Sequence, residues 1–211
     1  MHTRPIAGIR PFRLPLLLGA AVSLVTAVYA FNQQYVLDWD ACFRAFSGFA
    51  GRDLVVEFLR GEVTGRADVI RVLTRYSDFF EARPGSLVSY PPGQTLVLGV
   101  LGFFTTNPFV LSLFNVLLYL VLCVGLWRLG GKLDLGVAAR LVLWSVVALH
   151  PTVVLTIWSL RRGLFEAAAV TWCLAWLIEY DRACRFRSFL AVVVTVVGGF
   201  LYRETLALVA A

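Results

Sequence analysis

Charge is scarce in this chain. Only 15% of its 211 residues are Asp, Glu, Lys or Arg, while 59% are hydrophobic and the mean hydropathy is +0.79. One soluble core of this length cannot hide so much apolar surface, which excludes an ordinary water-soluble domain and indicates an integral membrane protein. A dense basic stripe is also missing. The sequence pI is near 9.5, but the arginines come as scattered pairs beside apolar runs, the pattern of topology signals, so no nucleic acid partner is expected. Cysteine is sparse: Cys42, Cys123, Cys173 and Cys184 are widely separated and two lie inside apolar runs. Neither a disulfide framework nor a zinc site is expected. No Gly-rich strand-turn-helix unit is visible, which argues against a nucleotide-sugar site.

What is present is a series of apolar runs. The first, residues 14–36, follows Arg4, Arg10 and Arg13. Val28-Tyr29-Ala30 resembles the cleavage site of a secretory signal, but the run continues past it to reach about the 20 residues that span a bilayer. It is therefore expected to be a retained transmembrane helix with its amino terminus in the cytosol. Further runs occupy 108–127, 137–157, 164–180 and 188–204. A shorter one, 93–104, would reach only about 18 Å as a helix, against a hydrocarbon core of about 30 Å.

Charge decides between crossing and not crossing. If the short run lies in the interface, Arg128, Lys132 and Arg140, then Arg182, Arg185 and Arg187, fall on the cytosolic side with the amino-terminal arginines. The positive-inside rule is then obeyed throughout. The expectation is an all-α chain: one membrane domain, a polytopic transmembrane helical bundle of five spans, with residues 37–106 forming a large extracytoplasmic first loop.

That loop has a pattern of its own. Val69, Val72, Leu73, Tyr76, Phe79 and Phe80 recur at helical spacing, with Arg71, Arg75 and Asp78 between them. Phe43, Phe46, Phe49, Leu54, Val55, Phe58 and Leu59 form an earlier apolar set among charged residues. Two amphipathic helices are expected, on the membrane surface or against the bundle. Gly48, Gly51, Gly61 and Gly65 punctuate them, and Arg83-Pro84-Gly85-Ser86 breaks the chain before the next element. Seven arginines face eight acids across the loop, so it reads as a folded cap and not a polybasic lipid anchor.

The loop opens on Asp38, Trp39 and Asp40, immediately beyond the first span. An acid at a bilayer face can work as a catalytic base or bind a cation. It also has plainer uses: Asp40 suits a helix N-cap, and Asp38 a solvated boundary charge. Trp39 and Tyr90 suit the interfacial aromatic belt, and Pro91 and Pro92 the first turn of a helix.

An acid after the first span, a long loop with surface helices, and Tyr90-Pro91-Pro92-Gly93 before a short apolar segment together resemble the polytopic glycosyltransferases of the GT-C fold. Lipid-linked-sugar-dependent mannosyl- and aminoarabinosyltransferases belong to that group. Trp127-Arg128-Leu129-Gly130-Gly131 at a cytosolic turn, Leu149-His150-Pro151 late in the third span, and Tyr202-Arg203-Glu204-Thr205 at the outer end of the fifth extend the resemblance along most of the chain.

The resemblance implies a plasma-membrane enzyme of the bacterial type, serving the cell envelope, that moves a sugar from a polyprenyl phosphate to an acceptor hydroxyl on the extracytoplasmic face. Asp40 or Asp38 would be the catalytic base, or would help hold a divalent cation. A positioned carboxylate makes a poor hydroxyl nucleophile competent, while cations offset charge growing on the phosphate. Arg203, Arg44, Arg161 and Arg162 would face the donor phosphate, and Tyr90 and Glu204 would contact substrate.

Departures from the family accompany the likeness. The turn between the third and fourth spans, where many relatives carry an acid, reads Trp158-Ser159-Leu160-Arg161-Arg162-Gly163, with Glu166 the nearest carboxylate. Ser89 and Tyr90 stand where several relatives place a Lys or an acid. The chain stops within the apolar run 206–211, so an amino-terminal part of a longer enzyme is expected. Two other classes fit the composition: a non-catalytic membrane subunit that binds a partner enzyme through its loop, and a small transporter or lipid-translocating protein with Arg203 and Glu204 along a polar path.

Overall fold

A computed structural model describes residues 12–33, 39–77, 92–159 and 163–202. Among these the chain is entirely helical. The helices, in chain order, are α1 (Arg13–Gln33), α2 (Trp39–Leu59), α3 (Arg66–Ser77), α4 (Pro92–Gly102), α5 (Pro108–Lys132), α6 (Val137–Ala148), α7 (Pro151–Thr156), α8 (Gly163–Ala183) and α9 (Phe186–Tyr202).

Helix α5 is the axis of the bundle, touching α1, α6 and α8, while α9 packs on α8. Local chemistry defines its ends. Asn107 accepts a hydrogen bond from the Phe109 amide at 2.9 Å, and Pro108 occupies a position where a helix needs no N–H. At the other end Asp134 turns left-handed at φ 55°. The Asp134 and Leu135 amides then donate to the Gly131 and Gly130 carbonyls, a Schellman closure. Over 24 residues, Phe109–Lys132, this helix is long and apolar enough to cross a membrane. Shorter apolar helices occupy Arg13–Val28, Val137–Ala148 and Phe186–Gly199.

Small residues and hydrogen bonds make the helix contacts close. A Cβ on Gly19 would stand 3.0 Å from the Cys123 sulfur, and one on Gly125 would stand 2.7 Å from the Trp172 indole nitrogen. Tyr119, Leu122, Cys123 and Leu126 bury one face of α5 among Trp144, Ala148, Ile157 and Leu164. The outer surface is also apolar: Leu17, Leu24, Val25 and Val28 of α1 are each at least 66% exposed. A helix apolar on every side belongs in a large core or in lipid.

The run 137–157, read from the sequence as one span, is two helices. Pro151 lacks the N–H that would continue α6 and its ring disfavours the preceding turn, so α6 stops at Ala148 and α7 starts at Pro151. His150 caps the new start, its Nδ1 accepting from the Thr152 amide at 3.3 Å. The carbonyls freed at the break and at the end of α7 find partners on α5. The Tyr119 hydroxyl donates to Ala148 O at 3.1 Å, and Asn115 Nδ2 donates to Thr156 O at 3.1 Å and to Ser159 O.

Helices α2, α3 and α4 form a separate cap. Gly61, at φ 73°, takes the left-handed conformation that ends α2 and lets α3 fold back. Its amide donates to Phe58 O, and that of Glu62 donates to Glu57 O. Val72 and Leu73 of α3 are buried, while Arg66, Arg71 and Arg75 are exposed, as the helical spacing of the apolar residues requires. Helix α4 packs on α2 and rests on α9 and α5.

Candidate functional site

The polar centre of the cap is an open cleft of about 420 Å³ lined by Arg52, Asp53, Val56, Glu57, Arg60, Arg75, Gly102 and Phe103. Its architecture follows from the two faces of α2. Ala45 and Phe49 cluster with Leu98 of α4, while Ala50 clusters with Leu73 of α3. Gly48 and Gly99 let α2 and α4 touch, since a Cβ on Gly99 would lie 2.9 Å from the Gly48 carbonyl oxygen. The last turn of α4 is thereby brought over Arg52. The Arg52 guanidinium donates to Gly102 O at 2.7 Å, satisfying a carbonyl that the helix end leaves free.

Charged residues on α2 meet a complementary ladder on α3. Asp53 and Glu57 lie four apart on α2, and Arg71 and Arg75 lie four apart on α3. Glu57 accepts from Arg75 at 2.7 Å and from Arg71 at 3.2 Å. Asp53 accepts from Arg52 Nε at 2.7 Å and from the Tyr76 hydroxyl. Burial, then the bond and charge of Asp53, push the Tyr76 phenol up to about 12. It therefore stays a neutral donor across the physiological range.

The lining carries three guanidiniums, Arg52, Arg60 and Arg75, against two carboxylates, Asp53 and Glu57. The Arg60 amide donates to Val56 O at 3.1 Å, and its guanidinium has no hydrogen-bond or ion-pair partner among the described residues. Both carboxylates are occupied by cationic or phenolic donors, an arrangement suited to holding an anion or zwitterion and not to taking a proton from one. It is no donor set for a cation either. No group of three or more His, Cys, Asp or Glu fit for a metal ion occurs among the described residues.

Asp40 and Arg44 lie on the first turns of α2, and their side chains are outside the described residues. Asp38, Tyr90, Arg161, Arg162, Arg203 and Glu204 are wholly outside them. Asp40 and Asp53 are about 20 Å apart along the axis of α2, at 1.5 Å rise per residue. The backbone position of Asp40 on α2 is therefore well removed from the cleft.

The helix ends that border the remaining sequence-derived residues do converge. Trp158, after α7, donates to Ser23 O and to Thr26 Oγ1 of α1, both at 3.1 Å, and stacks on Phe109 at the start of α5 with ring centroids 4.8 Å apart. Phe165 near the start of α8 and Gly198 near the end of α9 line one shallow groove with Leu118 of α5. The end of α1, the start of α5, the end of α7, the start of α8 and the end of α9 thus share one end of the bundle. That is the end on which α4 sits, through Leu98 against Leu111.

Sequence reading gave no site role to Arg52, Asp53, Glu57 or Tyr76, naming Tyr76 only as part of an apolar helical face. The signal for them was the pair of four-residue charge ladders, acidic on the earlier amphipathic stretch and basic on the later. No family model, no curated protein and no solved structure matches the chain.

Proposed function

We propose that this chain is a GT-C-type membrane glycosyltransferase, or the amino-terminal part of one. It would move a sugar from a polyprenyl phosphate to an acceptor hydroxyl at the extracytoplasmic face of a bacterial-type plasma membrane. In this reading α1, α5, the broken pair α6–α7, α8 and α9 cross the bilayer, and α2, α3 and α4 are the extracytoplasmic cap. Helix length supports the assignment: α1 and α8, with 21 residues each, reach about 31 Å, whereas the 11 residues of α4 reach about 16 Å.

The observation that carries the proposal is the seating of a folded, polar cap on the one bundle end where α1, α7, α8 and α9 meet. In sequence, Asp38 and Asp40 lie five and seven residues after α1, Arg161 and Arg162 immediately precede α8, and Arg203 and Glu204 immediately follow α9. A base, phosphate-facing cations and substrate contacts would thus be drawn from separate helices into one outer site. Asp40 would accept the acceptor proton during attack on the anomeric carbon, and the arginines would offset charge developing on the departing phosphate. No step is assigned to a divalent cation.

A membrane transfer assay across a panel of polyprenyl-phosphate sugars tests the proposal, with Asp38→Asn and Asp40→Asn measured separately. Loss of a general base lowers turnover by about 100-fold or more, and that loss is expected for Asp40→Asn. Full activity in both variants overturns the catalytic reading. The occupied state of Asp53 and Glu57 favours a second reading, a non-catalytic subunit whose cap binds a partner enzyme. Co-purification with a larger glycosyltransferase, and unchanged activity of that complex after both substitutions, would select it.

A further inference from the structure

The opposite end of the bundle carries a feature that sugar transfer does not use. Between α8 and α9 the chain reverses in two residues, because Cys184 adopts the left-handed conformation at φ 47° and its amide donates to Tyr180 O at 2.7 Å. Arg182, Arg185 and Arg187 all fall within three residues of this turn. Arg182 is paired with Asp134 at 2.9 Å. Arg185 and Arg187 are exposed and form no ion pair with the described residues.

The same turn carries an open cleft of about 300 Å³ lined by Tyr180, Cys184, Phe186 and Phe189, with Arg185 and Arg187 interleaved among the last three in sequence. Its rings are mutually packed, Tyr180 on Phe189 at 5.8 Å and Phe186 on Phe189 at 6.4 Å between centroids. From the cleft an exposed apolar stripe runs along α9 through Phe189, Leu190, Val193, Val194 and Val197. These positions follow the helical repeat and present one continuous face.

We propose that this turn is a binding site for one anionic glycerophospholipid of the membrane. Arg185 and Arg187 hold the headgroup phosphate, the aromatic cleft takes the glycerol and upper acyl region, and the stripe on α9 guides the chain. Guanidinium suits phosphate because it is planar, always charged and forks its donors. Topology signalling alone needs the arginine charge, but it needs neither an aromatic cleft beside it nor a stripe leading away. The proposal rests on the membrane placement of the bundle and is independent of the transfer reaction.

Native mass spectrometry of the full chain, with phosphatidylglycerol and phosphatidylcholine offered at equal concentration, reads the site directly. The wild type is expected to retain one phosphatidylglycerol with about a tenfold preference, which is about 1.4 kcal/mol. Arg185→Gln with Arg187→Gln should abolish the preference, and Phe186→Ala should shorten retention. Arg185→Lys with Arg187→Lys, which keeps charge and orientation, should weaken the preference without abolishing it. Excess inorganic phosphate should not displace the lipid, because the acyl contacts are absent from it. Equal retention of both lipids by the wild type overturns the proposal. So does undiminished phosphatidylglycerol preference in the double Gln variant, undiminished retention in Phe186→Ala, or release of the lipid by phosphate alone.

Discussion

Glu57 in the cap and Glu179 in the bundle are built alike, yet their surroundings differ. Each is gripped by two cations about one turn apart on a neighbouring helix. Glu57 takes Arg71 and Arg75 of α3, and Glu179 takes Arg128 of α5 at 2.9 Å and Lys132 at 2.8 Å. The carboxylates are equally hidden, at 10% and 14% exposure, but the cap arginines are 48% exposed while Arg128 and Lys132 are 23% and 32%. Arg128 is further covered by Trp176 and Trp172, 3.9 and 5.2 Å from their ring centroids. Water and salt screen the cap pair, whereas aromatic rings shield Arg128 in the bundle pair. One arrangement therefore lines an open cleft, and the other acts as a clamp between α5 and α8.

The largest effect expected from this contrast comes from removing each carboxylate in turn. Glu179→Gln leaves the ring-covered Arg128 and the partly exposed Lys132 without a counter-charge and should cost about 2 kcal/mol, between the buried and the exposed limits. Glu57→Gln leaves two exposed guanidiniums that water can serve and should cost about 1 kcal/mol or less. Unfolding midpoints of both variants in one detergent compare them. Equal losses would mean that the exposure of the cations, and hence the distinction between cleft lining and clamp, has no energetic content.

A smaller effect separates the two regions at their turns. Gly61 and Cys184 both hold positive φ, at 73° and 47°, but only one is glycine. Gly61→Ala should destabilise the hairpin of α2 and α3 by about 1 kcal/mol, and Cys184→Gly should stabilise the turn of α8 and α9 by a similar amount. Opposite signs are the point of the comparison. Protease resistance of the cap and thermal unfolding of the bundle read them separately, and a loss in both variants would contradict the backbone argument.

Legibility in the sequence follows the same divide. Helices α2 and α3 could be anticipated because their apolar residues recur at helical spacing between charges, and α4 because its run is short and starts with prolines. The break at His150 was harder to see. A run such as 137–157, apolar on every side, has no period to interrupt, and Pro151 alone does not say whether a helix kinks or ends. The cleft was hidden for a different reason: the two charge ladders are local patterns, but Asp53 and Glu57 meet Tyr76, Arg75 and Arg71 only after the chain reverses at Gly61, and neither ladder encodes that pairing. Among the residues that carry the family resemblance, Arg128 pairs with Glu179 and His150 caps α7, while the side chains of Asp38, Asp40, Tyr90, Arg203 and Glu204 fall outside the described residues. Helix topology instead contributes the shared end at which those helices stop.

The smallest expected effect lies at the start of α3 and tests how far solvent screening extends in the cap. Asp68 accepts from the Thr64 amide at 3.0 Å and from the Thr64 hydroxyl at 3.1 Å. These bonds, the backbone one foremost, hold its carboxyl below the ordinary value. A lowered carboxylate stabilises the fold fully above its unfolded value, and the contribution disappears as pH falls through the lowered one. Acidification below the ordinary carboxylate range should therefore fray the first turn of α3 while α8 and the Glu179 clamp are unchanged. Because Asp68 is solvated, the change should be local, seen as a shift in the Thr64 amide resonance with no loss of global unfolding temperature. Asp68→Asn should remove the pH dependence of that resonance. If the resonance still titrates in the variant, the Thr64 amide is reporting another group, and the capping account of α3 fails.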